Sequence, residues 1–197
     1  MGLAMKIHDI SRELFSTGVY PGDPVPYSEV IRRMDAGDSC NLSGFFTGSH
    51  SATHMDAPRH FVIDGDTIDQ LPLEQFIGKC TVVSVEGIVT GEQIDKLLPY
   101  CEKMVIFKGE GQAYLSQSAA FVLTDGGITL VGTDAQSIAP AGDERGPHSE
   151  LLSAGIPILE GVDLTGIADC TYTLIALPLK LKGLEASPVR AVLIEDK

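Results

Sequence analysis

Six short apolar runs, at residues 80–85, 104–107, 128–132, 156–160, 172–177 and 191–194, constrain the fold most. Each is too short for an ordinary globular helix, and their Val, Ile and Leu content reads as buried strand. Helical stretches fall between them. Thr90 offers an N-cap oxygen and Gln93 completes a capping box, so a helix is expected as far as about Leu98, where Pro99 stops it. A second helix-like stretch begins at Tyr114, before residues 121–123 run into a turn at 124–127. A third is expected over 149–154, ended by Gly155, after a loop through Pro140, Gly142 and Pro147. Strands alternating with helices indicate an α/β protein.

The first third breaks this rhythm. A short strand is expected over 6–10 and a turn at 20–24. Residues 27–34 and 41–49 read as an antiparallel pair packed alongside the α/β part, the second strand delivering His50. Residues 68–76 read as a surface connection with Leu71, Leu73 and Phe76 tucked inward. His8 has no partner near it in sequence and reads as structural. Asp64, Asp66 and Asp69 lack the spacing and terminal Glu of a calcium loop and read as turn residues.

The chemistry concentrates at residues 50–61. Three of the five histidines, His50, His54 and His60, fall here with Asp56 among them. Imidazole and carboxylate are the usual ligands of zinc and also suit manganese and iron. His54 and Asp56 are two apart, so a strand sends both to one face, and His50 joins them if the strand continues. Pro58 disfavours a helix, which makes a helical zinc motif a poor description. A strand running into a stiff turn fits better. Another polar pair stands at His148, before a short helix, and Glu160, at the end of the next strand. Helix and strand can bring these two together, and a carboxylate in a buried strand needs a partner. A loop histidine and an exposed strand end describe them equally well.

With 197 residues, and with neither a linker nor a repeat, the chain is expected to form one domain over 1–197. A net charge of −13 argues against nucleic acid or an anionic membrane as partner. The opening residues lack the apolar segment of a secretion signal, and Met5 could serve as an alternative start, leaving a ragged extension before it. The expected location is therefore the cytoplasm. Cys40, Cys80, Cys101 and Cys170 are scattered and read as reduced, mostly buried residues.

The run His50-x-x-Thr53-His54-x-Asp56-x-Pro58-x-His60-Phe61 resembles the HxGTHxDxPxHF signature of the cyclase family of metal-dependent hydrolases, which includes bacterial kynurenine formamidase and isatin hydrolase. Ala52 stands where the signature has glycine, and alanine does not easily take positive φ. The likeness extends to residues 20–24, to Val131, Gly132, Thr133, Asp134 and Ser137, and to 187–190, and so to nearly the whole chain. It implies a swivelling β/α/β-type domain with a mixed sheet, assembled as a homodimer or homotetramer. It also implies two divalent ions, zinc with manganese as the alternative. His50, His54 and Asp56 correspond to ligands of one ion, His148 and Glu160 to ligands of the second, with a carboxylate bridging both, and His60 to an acid/base beside them.

Two such ions about 3.5–4 Å apart can share a hydroxide, available near neutral pH, that attacks an amide carbonyl. His60 would then protonate the leaving nitrogen. The expected activity is hydrolysis of a small linear or cyclic amide of the N-formylkynurenine type. Isatin or a lactone is the alternative substrate, and a metal-dependent lyase or isomerase, or a non-catalytic metal-binding protein, is the alternative class. Tyr20, Phe45, Phe46 and Phe61 lie near the motif and read as core rather than as stacking partners for a substrate. Arg59 or Arg190 could receive a substrate carboxylate, and nothing in the sequence fixes either.

Overall fold

The computed structural model describes residues 6–195; the alternative start expected at Met5 and the four residues before it lie outside them. The strands are β1 (Ile7–Asp9), β2 (Tyr27–Arg32), β3 (Leu42–Phe46), β4 (His54–Asp56), β5 (Ile77–Ser84), β6 (Ile88–Val89), β7 (Met104–Lys108), β8 (Tyr114–Leu115), β9 (Leu130–Thr133), β10 (Ile158–Glu160), β11 (Thr171–Ile175), β12 (Ala186–Pro188) and β13 (Val192–Glu195). The helices are α1 (Gly91–Leu97), α2 (Gln117–Asp125) and α3 (Arg145–Ser153). Nine strands form one mixed sheet in the order β1-β13-β11-β5-β7-β9-β10-β4-β12. Its centre, β5-β7-β9-β10, is parallel, each crossover containing one helix, and antiparallel strands flank it on both sides. The α/β expectation holds.

Strand pleating divides the core. On β7, Met104 and Ile106 join one apolar cluster with Phe76, Leu130 and Leu159. Val105 and Phe107 join the other, which includes Ile94 of α1, Leu123 of α2 and Leu151 of α3. Because successive side chains leave opposite faces, a single apolar run supplies both layers. The expected capping box starts α1, with Gln93 Oε1 accepting from the Thr90 N–H at 2.8 Å.

Several expectations need correction. The second helix starts at Gln117 rather than Tyr114, because Ser116 Oγ caps it by accepting from the Ala119 N–H at 3.2 Å. Tyr114 and Leu115 pair with β6 instead, and residues 121–123 lie inside the helix. The third helix starts at Arg145, so Pro147 and His148 belong to its first turns, where proline forfeits no helical hydrogen bond. Leu73 is 62% exposed, since the short 3₁₀ turn at Leu73–Phe76 buries only Phe76. Of the cysteines only Cys80 is buried; Cys40 and Cys170 are exposed, and all are free. β12 is an additional edge strand, too short and too rich in Ser and Pro to stand out in the sequence.

The β2–β3 pair forms as expected but belongs to a separate two-stranded sheet. Every residue of β2 is exposed, as are Phe45 and Phe46 on β3. His8 is structural: its Nε2 lies 2.9 Å from Glu195 Oε1, and its ring meets Tyr172 edge-on. Among the described residues, no helix is long and apolar enough to cross a membrane.

Candidate metal centre

Register builds the inner half of the centre. β4 lies between β10 and β12, pairing His54 with both Glu160 and Pro188. His54 Nε2 therefore stands 3.2 Å from Glu160 Oε2, across neighbouring strands. Asp56, two residues further along β4, is completely buried. From the first turns of α3, His148 brings Nε2 to 3.2 Å from Glu160 Oε1, while the Ile138 N–H donates to the same oxygen at 2.6 Å. The sequence reading that helix and strand bring His148 and Glu160 together is realised.

Turns build the outer half. The expected strand through His50 does not form; the chain bends at 49–53, and Ala52 takes φ +53°. This is the positive φ that a glycine would take without strain, and for alanine it costs about 1–2 kcal/mol. The bend is tied to β10 by Thr53 Oγ1, which donates to the Gly161 carbonyl at 2.7 Å. It presses so closely on Gly161 that a Cβ there would meet the Ala52 oxygen at 2.3 Å. It nonetheless returns His50 to the cluster, with Nδ1 3.0 Å from Asp56 Oδ1. His60 arrives on the 3₁₀ turn Pro58–His60, its Nε2 3.9 Å from Asp56 Oδ2 and its ring 4.2 Å from that of His50.

All six residues singled out in the sequence thus converge. Ligand atoms of His54, Asp56 and Glu160 lie within 4.8 Å of one another, and those of His50, Asp56 and His60 form a second such group. Asp56 is common to both. The resemblance instead implies His50, His54 and Asp56 on one ion and His148 with Glu160 on the other, so the second group adds His60 to the possible donors of the outer half.

Two carboxylates buried together would ordinarily be held neutral. Here burial pushes Asp56 upward, but His50, His54 and His60 hold it well below the usual carboxylate range. Glu160 is likewise lowered against its burial and against Asp56, by His148 and His54. Burial opposes charge on His50 too, yet Asp56 overrides it and His50 is pushed up to about 9. His54 and His148 also rise despite burial, chiefly through Glu160 and Asp56. His60 differs: burial lowers it, and the attraction of Asp56 is offset by His50 and His148.

In the metal-free protein, protons on histidine balance the acids. A cation fits the same donors. His54 Nε2 and both oxygens of Asp56 are buried and make no hydrogen bond. Buried polar atoms are rarely left so, and three together on imidazole and carboxylate form a donor set for zinc or a similar divalent ion.

A pocket of about 400 Å³ opens onto the cluster, with Tyr20, Asp23, Phe61, Gln136 and Glu144 in its walls. A larger cleft of about 1190 Å³ lies elsewhere, lined by Arg12, Lys108 and Asp134, and contains no histidine. Donor chemistry, rather than volume, selects the site. Of the aromatic residues expected in the core, Phe61 packs against its second cluster, whereas Phe45 and Phe46 lie outside it. Phe45 and Phe46 are 63% and 46% exposed, whereas Phe61 stacks on His148 with ring centres 4.6 Å apart. Tyr20 donates its hydroxyl to Glu144 Oε1 at 2.7 Å. Arg59 bonds the Ile63 carbonyl and Arg190 is paired with Asp9; neither lines the pocket. Sequence reasoning missed Glu144 and Glu185, whose Oε1 lies 3.3 Å from His50 Nε2. No spacing pattern marks either one.

The family model for Cyclase matches residues 8–140. Over an alignment 206 positions long, which covers 96% of this chain and 97% of its relative, the sequence is 38% identical to kynurenine formamidase of Salinibacter ruber. A solved structure described as a potential metal-dependent hydrolase with cyclase activity superposes with a TM-score of 0.85 at 30% identity, covering 98% of this chain and 100% of the other. Isatin hydrolase A from Labrenzia aggregata shares the fold, with a TM-score of 0.86 at 21% identity over 98% of this chain and 94% of its own.

Proposed function

The chain belongs to the cyclase family, and on that premise we propose that it hydrolyses a small aryl amide of the N-formylkynurenine type, using two divalent ions held by the buried cluster. The observation that carries this reading is the trio of buried atoms that make no hydrogen bond, His54 Nε2 and the two Asp56 oxygens, at the centre of four histidines and two acids. The 38% identity to a kynurenine formamidase supports the substrate class. His50, His54 and Asp56 would hold one ion, and Asp56, His148 and Glu160 the other; the mixed imidazole and carboxylate set suits zinc, with manganese the alternative. Ions bound there acidify water and polarise the scissile carbonyl.

The chain's own residues supply the rest. Asp56 stays ionised across the working range because its neighbours hold its pKa low. His60, lowered below the ordinary histidine value, is neutral at pH 7 and free to take a proton at Nε2. Its imidazolium is then acidic enough to pass that proton to the leaving nitrogen. Its side chain is 27% exposed, the most open of the four histidines, and it borders the pocket. Phe61, stacked on His148, and Tyr20, held by Glu144, form apolar walls that limit water around an aromatic substrate.

The test is a zinc-loaded assay on aryl formamides, isatins and lactones, with metal content measured in parallel. Formamide hydrolysis that disappears on chelation is expected. Stoichiometric metal with no hydrolysis of any of these substrates would reduce the protein to a metal-binding one.

The same reading includes a homodimer. Tyr27, Val30, Ile31, Met34, Phe45 and Phe46 expose apolar surface on the β2–β3 hairpin, and an isolated two-stranded pair is marginal in water. A second copy of the chain covering this hairpin accounts for both facts, and charged substitutions at Ile31 and Phe45 should leave a monomer in sedimentation. The free cysteines suit a reducing compartment, which supports a cytoplasmic location.

A further inference from the structure

The histidines of the centre differ in what holds the ring nitrogen that faces away from the acids. His54 Nδ1 lies 3.2 Å from the Ala52 carbonyl, and His148 Nδ1 lies 2.6 Å from the Glu144 carbonyl. A carbonyl only accepts, so Nδ1 carries the proton in both and Nε2 offers its lone pair inward. His50 is the reverse. Its Nδ1 faces Asp56 and its Nε2 faces outward, 3.3 Å from Glu185 Oε1. That carboxylate oxygen is itself held by the Ser49 hydroxyl at 2.5 Å. The Glu185 carbonyl accepts from the Ala57 N–H at 2.8 Å, and the next residue begins β12, paired with β4. Glu185 is therefore fixed by backbone bonds to the strand that carries His54 and Asp56.

We propose that Glu185 is a positioning residue for the outer half of the centre: its carboxylate holds the proton of His50 on Nε2, turns Nδ1 toward the ion and raises its basicity. A carboxylate behind a metal-ligating histidine does both, and its loss typically weakens binding about 10- to 100-fold. This rests on the metal-centre reading above. Its consequence is an asymmetry. The inner histidines are oriented by backbone carbonyls, which side-chain substitution cannot remove, whereas His50 depends on a side chain.

Stepwise zinc titration of the chelator-stripped full-length chain tests this, with the metal-free melting temperature as the second readout. Glu185→Gln should weaken one zinc ion about 10- to 100-fold, leave the other unchanged and leave the metal-free melting temperature where it is. Ser49→Ala, which only frees the carboxylate, should weaken the same ion by less, and it stands in for Glu185→Gln if that variant does not fold. Unchanged affinity for both ions overturns the proposal, as does equal weakening of both with a lowered melting temperature. His50→Ala separates the causes. If it loses the ion while Glu185→Gln keeps it, only the role of Glu185 fails; if it too binds zinc like the wild type, the metal-centre reading fails with it.

Discussion

The two halves of the centre are made by different means. The inner half, His54, Asp56, Glu160 and His148, is almost completely buried and set by strand register and helix placement. The outer half, His50 and His60, comes from turns and keeps 19% and 27% of its side chains exposed. Parts fixed by register cannot move without disrupting the sheet, so they suit ligands that must stay in place. Parts on turns at the pocket mouth suit proton transfer and substrate contact. Asp56 belongs to the inner half but serves both.

Removing that shared group should have the largest effect. Asp56→Asn should lose both ions and lower turnover by about 10⁴-fold or more, since both groups of donors lose the carboxylate they share. Metal analysis beside the formamide assay checks this; retention of one tightly held ion would show that the halves are independent. His60→Ala should come next, with turnover reduced about 10²- to 10⁴-fold while zinc is retained. Loss of zinc in that variant would instead make His60 a ligand of the outer group.

The pH dependence sharpens the same contrast. The folded pKa of His50 lies above its ordinary value of 6.5, at about 9. In metal-free protein its stabilising contribution is therefore complete below pH 6.5 and lost as pH rises through about 9. Zinc must displace that proton, so affinity for the outer ion should climb over the same window, by about tenfold per pH unit for one proton released. Melting of chelated protein and competitive zinc binding, each from pH 6.5 to 9, should run in opposite directions.

The smallest effect belongs to the bend itself. Ala52→Gly should relieve positive-φ strain at a cost in unfolded-chain entropy, a net change within about 1 kcal/mol that denaturant titration can read.

Much of this was legible in the chain. The motif over residues 50–61 holds four of the six side chains that converge, and the apolar runs mark most of the sheet. The bend was not legible: even spacing put His50 on a continuing strand, and only the tertiary contacts of Ala52 and Thr53 with Gly161 explain why Ala52 accepts a left-handed conformation. Glu160 could be suspected because a buried carboxylate needs a partner, but its partner His54 is set by strand register across more than a hundred residues. Phe45 and Phe46 look like core in the sequence because apolar residues on a strand do so until the hairpin proves to be a separate sheet that leaves them exposed. Glu185 carries no local signal, and its place depends entirely on the pairing of β12 with β4.

The claim on which the rest depends is that the cluster binds divalent ions used in hydrolysis. Zinc content per chain, measured before and after chelation alongside turnover of an aryl formamide, tests it most directly. Two ions per chain, activity lost on stripping and restored by zinc, is the expected result; hydrolysis that survives complete removal of metal would contradict it.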